Sequence, residues 1–453
     1  MKTNKSILGS ENIPSLLFKL AVPSTVGMIL MALYNVVDTI FVGRAIGPMG
    51  IAAVSLCFPI HMFILSMGLL VGVGGASVLS RSLGALEYKK ARFILTNAVV
   101  TIITLTVLLA VFGQLFLDRL VLILGATADT QLLTQQYLKI ILLGSPFFGF
   151  SVSGNNILRA QGFAKTAMTA MAISALMNIL LDYIFIFIFE MGIVGAALAT
   201  IISQFFSALF VFVMFVSGKT TTKLNFKYLV LKLSIIKEIL SIGVSAFVRT
   251  VIGSLLIVII NNSLKTYGNS LYIAVYGIIN RLMTFALMPI FGIGQGFQPI
   301  AGYNYGARRF QKVKQAFKVS AITASVISLI GYLNLFFLPK IFVSLFTNDP
   351  ELFNLTISSI KLFSAMIFLV GFQVIGSIFF QAIGKALPAF LLTTSRQALI
   401  LTPLILILPN FLGVKGIWIS FPISDLLAFT LTVIMVRKQF KTIDKKLSNK
   451  KES

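Results

Sequence analysis

Two carboxylates sit in stretches of this 453-residue sequence that hold few other polar groups. Asp38 lies in ALYNVVDTIFVGR, with Tyr34 one helical turn before it and Asn35 beside Tyr34. Asp182 lies in SALMNILLDYIFIF, with Asn178 four residues before. On a helix, spacings of three and four place side chains on one face, so each carboxylate has a polar neighbour on its own helix. A carboxylate at the centre of a membrane helix costs about 2.5–3.5 kcal/mol on insertion scales, so each needs a reason. Binding a proton or a small cation is one reason. Interhelical hydrogen bonding is another, and Asp38, near the outer end of its block, also has a headgroup position open to it.

The other intramembrane groups say less. Arg249 and Arg281 lie inside apolar blocks without an acidic partner on their own helices; pairing, binding an anionic group and snorkelling all remain open. Asp425, beside Ser424, reads as structural. His61, one turn from Cys57, reads as a packed histidine. One cysteine excludes an intramolecular disulfide, and one histidine argues against a Cys/His metal site. No GxSxG elbow, His cluster or metal-ligand spacing points to an enzyme, and no GxxxxGK[ST] loop points to an ATP-driven pump.

These residues must be positioned by membrane helices. The sequence is 57% hydrophobic and 11% charged, against about 25% charged in a soluble protein. Its apolar residues come in blocks of 20 or more, the length that crosses a hydrocarbon core of about 30 Å. The period-2 alternation of an outer-membrane barrel is absent. Helices are expected at about 15–41, 51–80, 93–117, 136–160, 167–189, 193–217, 235–262, 271–301, 316–338, 357–381, 388–409 and 413–436. The first fifteen residues lack a short apolar core with a small-residue cleavage site, so insertion is expected to begin with the first helix.

Charge then suggests orientation. The net charge of +24 would suit nucleic-acid binding in a soluble protein. Here the cations fall in loops between apolar blocks, which the positive-inside rule explains without a nucleic acid. With twelve helices, 28 of the 37 Lys and Arg fall on the side of the two termini and seven on the other, so both termini are expected in the cytoplasm. That set includes Lys2, Lys5, Lys227 and Arg396.

The sequence also repeats. Gly72 and Gly74 recur as Gly294 and Gly296, Gly84-Ala85 as Gly306-Ala307, and Ala160 and Gly162 as Ala382 and Gly384, each at an offset of 222. Two six-helix units inserted in the same direction are expected, related by a pseudo-two-fold axis along the membrane normal. The expected division is an N-lobe at 1–217, a basic cytoplasmic linker at 218–234, and a C-lobe with a basic tail at 235–453. Ile260 and Leu404 stand where a repeat of Asp38 and Asp182 would fall, so the acid pair belongs to one lobe only. Packing demands would fall on both repeats alike, whereas a site can occupy one.

At NVVDTIFVGRAIG (35–47), NNILRAQGFAK (155–165), the Asn178/Asp182 pair with Thr200, and GQGFQPIAGYNYGA (294–307), the sequence resembles the MATE family, the multidrug and toxic compound extrusion transporters. The similarity is to the DinF-like or MepA-like branch. The resemblance implies an all-α protein of two six-helix lobes around a central cavity. It implies export of amphipathic, cationic compounds in exchange for inward H⁺ or Na⁺, with no organic cofactor, from a monomer in the bacterial inner membrane. It implies an ion-coupling cluster of Asp38, Asn178, Asp182 and Thr200 on facing helices, with Tyr34 adjacent; Asn35, Asn156, Arg249 and Arg281 are the further candidate coupling or substrate neighbours. Such oxygens suit Na⁺. Two close carboxyls also suit a proton, because desolvation and like charge favour the protonated form. A bend at Pro23 is part of the same resemblance. The alternative is a flippase for a lipid-linked oligosaccharide, whose pyrophosphate would call for cations such as Arg249 and Arg281.

Overall fold

The computed structural model describes residues 7–225 and 228–452. Lipid offers the backbone no hydrogen-bond partners, so a crossing segment must close its own. The apolar blocks accordingly form helices: α1 (Ile13–Ile46), α2 (Pro48–Gly84), α3 (Tyr88–Leu115), α4 (Ala128–Ala160), α5 (Ala164–Ile188) and α6 (Gly192–Val216). The second half supplies α7 (Leu233–Tyr267), α8 (Ser270–Gly306), α9 (Phe310–Phe337), α10 (Pro350–Phe363 with Ile367–Ala382), α11 (Ala386–Leu412) and α12 (Val414–Ser448). No strand occurs among the described residues. Eleven helices are single spans, and α10 bends by 47° at its break, so the twelve expected spans are present with the tenth in two pieces. No proline marks that break. Ser364 at the break donates its hydroxyl to the Ile360 carbonyl at 2.6 Å, a bond of the kind that bends helices.

Helices α1–α6 form one lobe and α7–α12 the other. Among the described residues, the hydrogen bonds, ion pairs and ring contacts between lobes lie toward the end of the molecule that carries both termini. Ser77 donates to the Gln381 carbonyl, Gln298 donates to the Val73 carbonyl at 3.2 Å, and Arg81 pairs with Glu238 at 3.0 Å. The farthest are Gln295 to the Met28 sulfur at 3.3 Å and Phe63 against Phe247, with ring centroids 5.8 Å apart. Beyond these, no such contact joins the outer halves of α1 and α2 to those of α7 and α8. The polar and ring contacts between the lobes therefore gather at one end.

The repeated glycines explain the closeness of the seam. A Cβ at Gly74 would overlap the Ile239 carbonyl on α7, and one at its repeat, Gly296, would stand 2.8 Å from the Ala21 nitrogen on α1. A Cβ at Gly84 would overlap the Tyr303 carbonyl on α8, and one at Gly306 the Arg81 carbonyl on α2. Arg81 and Tyr303 are themselves 222 residues apart. Gly72 and Gly294 instead face helices of their own lobes, against Asn156 and Ile378, again a pair at that offset. Equivalent glycines thus make equivalent contacts across a pseudo-two-fold axis.

Lys2, Lys5 and Lys227 lie outside the described residues. Arg396, counted with the loop cations although it falls within the helix expected at 388–409, is ten residues into α11, in the π-helical turn Ser395–Leu401, where it pairs with buried Asp425. Placing an arginine there is tolerable because a carboxylate meets it.

Candidate functional site

Helix α1 turns one narrow face inward over its outer half: Tyr34, Asp38 and Val42 are buried, at intervals of four, while Leu33, Val36 and Ile40 face outward. That face packs on α5, which brings Asn178 and Asp182, both fully buried, to the same level. Immediately after Asp182 the α-helical ladder widens into a π-helical turn over Tyr183–Ile188. Such turns inside α-helices recur at functional sites.

The Asp38 and Asp182 carboxyls are both buried where α1 and α5 pack together. Ionised carboxylates only accept hydrogen bonds, so a single shared proton would join them. Asp38 Oδ1, both Asp182 oxygens, and the Asn178 Oδ1 and Nδ2 are buried without a hydrogen-bond partner. Buried polar groups are nearly always satisfied. Four unpartnered oxygens converging from α1 and α5 fit either a proton shared by the carboxyls or a monovalent cation held between them.

Tyr34 belongs to this cluster. Tyr137, from α4, is buried nearby, in one core cluster with Val42 and Cys57. Tyr137 is one of eleven tyrosines and was not singled out in the sequence, because no spacing within α4 relates it to α1 or α5. Thr200 is buried on α6, but no hydrogen bond joins its side chain to the carboxylates. Asn35 is exposed and donates to the Met31 carbonyl at 2.7 Å. Asn156 is elsewhere: it lies 19 residues along α4 from Tyr137, about 28 Å at 1.5 Å per residue. There it accepts from Arg159 at 3.2 Å. Arg249 and Arg281 belong to the other lobe. Arg249 lies over the Phe291 ring at 5.4 Å, just past the Phe247 contact, and Arg281 is exposed. In that lobe Ile260, the counterpart of Asp38, is fully buried among Leu256, Leu264 and Ile279.

A two-lobed bundle of twelve spans with buried, unpartnered carboxylates in one lobe defines a membrane transporter. A family model, MatE, matches residues 23–184 and 242–407, one segment in each lobe, and the chain belongs to that family. It is 30% identical over 416 residues to the multidrug export protein MepA of Staphylococcus aureus (strain MSSA476), a match covering 92% of each chain. It is likewise 30% identical over 416 residues to MepA of Staphylococcus haemolyticus (strain JCSC1435), covering 92% of this chain and 91% of that one. Among solved structures, it is similar to the MATE multidrug transporter DinF-BH, at 39% identity and a TM-score of 0.88, covering 95% and 96% of the two chains. It also resembles a MOP superfamily transporter from Pyrococcus furiosus, at 27% identity and a TM-score of 0.92, covering 98% and 100%.

Proposed function

We propose that this protein exports small amphipathic, cationic compounds across the bacterial cell membrane by alternating access, in exchange for inward H⁺ or Na⁺ bound at Asp38 and Asp182. The observation that carries this reading is the set of buried, unpartnered oxygens of Asp38, Asn178 and Asp182, present in one lobe and replaced by Ile260 and Leu404 in the other. The names of the MepA relatives and of DinF-BH support a multidrug substrate range and weigh against the flippase. In this reading the seam between lobes closes the cytoplasmic side, both termini are cytoplasmic, residues 218–234 link the lobes, and the monomer works without a cofactor.

The test is dye transport in proteoliposomes under separately imposed Na⁺, pH and voltage gradients. Asp182→Asn keeps the shape and removes the charge, so it is expected to abolish coupled export while the protein stays folded and inserted; Asp38→Asn should follow it. Wild-type transport by Asp182→Asn would exclude the coupling role.

A further inference from the structure

We propose that a groove on the outer face of the C-lobe is a binding site for an anionic phospholipid. A cavity of about 800 Å³ runs along α9, walled by α10 and by Phe440 of the α12 extension. Its lining changes character along its length. At the end of α9 nearest the termini it presents Gln311, Lys314, Gln315 and Lys318, and farther along it presents Ile322, Val326 and Leu329, with Ser325 as the one polar exception on α9. Lys314, Lys318, Ile322 and Val326 follow at intervals of four, so they form a single stripe on the helix. Phe368 and Phe372 of α10 complete the apolar wall, over a floor formed by Phe317, whose ring centroid lies 5.7 Å from that of Phe372 and 5.2 Å from that of Phe440.

These dimensions select the occupant. Lys318 and Leu329 are 11 residues apart, about 17 Å at 1.5 Å per residue, close to the roughly 15 Å of one leaflet's hydrocarbon. Acyl chains would therefore lie along the exposed Ile322, Val326 and Leu329, with the headgroup at the lysines and the two glutamine amides. Basic pockets between spans on the cytoplasmic side are known to take anionic headgroups. The rim is also tuned. Lys314 is bound by Asp444 at 2.7 and 3.1 Å, whereas exposed Lys318 makes no ion pair among the described residues. Lys318 is then the main anchor, and Asp444 holds Lys314 in check. Phe368 lies in the turn that follows the α10 break, so an occupant would also brace the one bent span. The proposal rests on the cytoplasmic placement of the termini and not on ion-coupled export.

The test uses the purified full chain in detergent, titrated with phosphatidylglycerol, with phosphatidylcholine, and with soluble glycerol phosphate, read by native mass spectrometry and thermal shift. Phosphatidylglycerol is expected to bind and to raise the melting temperature, with phosphatidylcholine and glycerol phosphate much weaker. Lys318→Gln should weaken phosphatidylglycerol about fivefold, Lys318→Arg should retain it, and Asp444→Asn should strengthen it by freeing Lys314. Equal binding of the two lipids, or Lys318→Gln and Asp444→Asn shifting affinity in the same direction, would overturn the proposal. Glycerol phosphate binding as tightly as the lipid would replace it with a phosphate site.

Discussion

Gly74→Ala puts one methyl group into the seam between lobes. Gly74 lies within α2, where alanine is the better helix former by about 1 kcal/mol, so the helix itself gains. On the alternating-access reading proposed above, that gain is the same whether the lobes are apposed or parted. The cost falls only on the apposed state: the new Cβ would overlap the Ile239 carbonyl and crowd the Gly243 nitrogen. Backbone atoms cannot swing aside like a flexible side chain, so α2 and α7 must separate. Overpacking of this kind costs about 1–3 kcal/mol, which shifts a two-state balance about 5- to 150-fold toward the parted arrangement.

Ser77 reports this balance, since it is fully buried in the seam beside Gln381. Cys57 is the single native cysteine, so Cys57→Ser with Ser77→Cys gives one reactive thiol. Its labelling by a maleimide should accelerate about 5- to 150-fold with Gly74→Ala. Gly296→Ala should act in the same direction but less, because its Cβ meets Ala21 at 2.8–3.2 Å. Gly277→Ala, with nothing within 4 Å of its Cβ, is the control and should change nothing. An unchanged labelling rate in folded Gly74→Ala would refute the seam as a closed gate.

Reporter fusions at Lys223 and at the C-terminal tail should both report cytoplasm, and a periplasmic signal at either would overturn the orientation. Arg396→Gln strands buried Asp425 and should lower stability by about 3–5 kcal/mol, read as a fall in melting temperature. Adding Asp425→Asn should recover much of that loss; no recovery would show that the pair is not what Arg396 contributes.

The spans were legible because apolar length is a direct requirement of the bilayer, and the one-lobe placement of Asp38 and Asp182 was legible because the repeat supplies its own comparison. The rest depends on contacts between helices that no linear spacing encodes. Tyr137 packs beside Val42 of the first helix from a third helix. Arg396 was counted with the loop cations, although inside the expected helix 388–409, because its partner, Asp425, lies on a different span. The α10 break lacks proline and turns on a serine bond, a feature many unbroken helices share. Asn156 sits in a recognisable motif, yet the motif belongs to the far end of α4. The offset of 222 showed which glycines correspond, but not that Gly74 and Gly84 face the other lobe while Gly72 faces its own.

That division between repeated and unrepeated residues follows from where the symmetry axis runs. A contact across the axis involves both copies, so room for one backbone at Gly84 has its image at Gly306, and both positions must stay small. The carboxylates lie inside one lobe, off the axis, where no image contact constrains them, and Ile260 fills the matching place as ordinary core. In the proposed mechanism, an ion held in one lobe would act on a symmetric seam only through an element that reaches both. Helix α1 does so: it carries Asp38 at one level, and Thr25 and Ala21 pack against Gly292 and Gly296 at another. The 13 residues from Thr25 to Asp38 span about 20 Å of helix. Pro23 lies between the two seam contacts, where a missing backbone N–H leaves the helix easiest to bend.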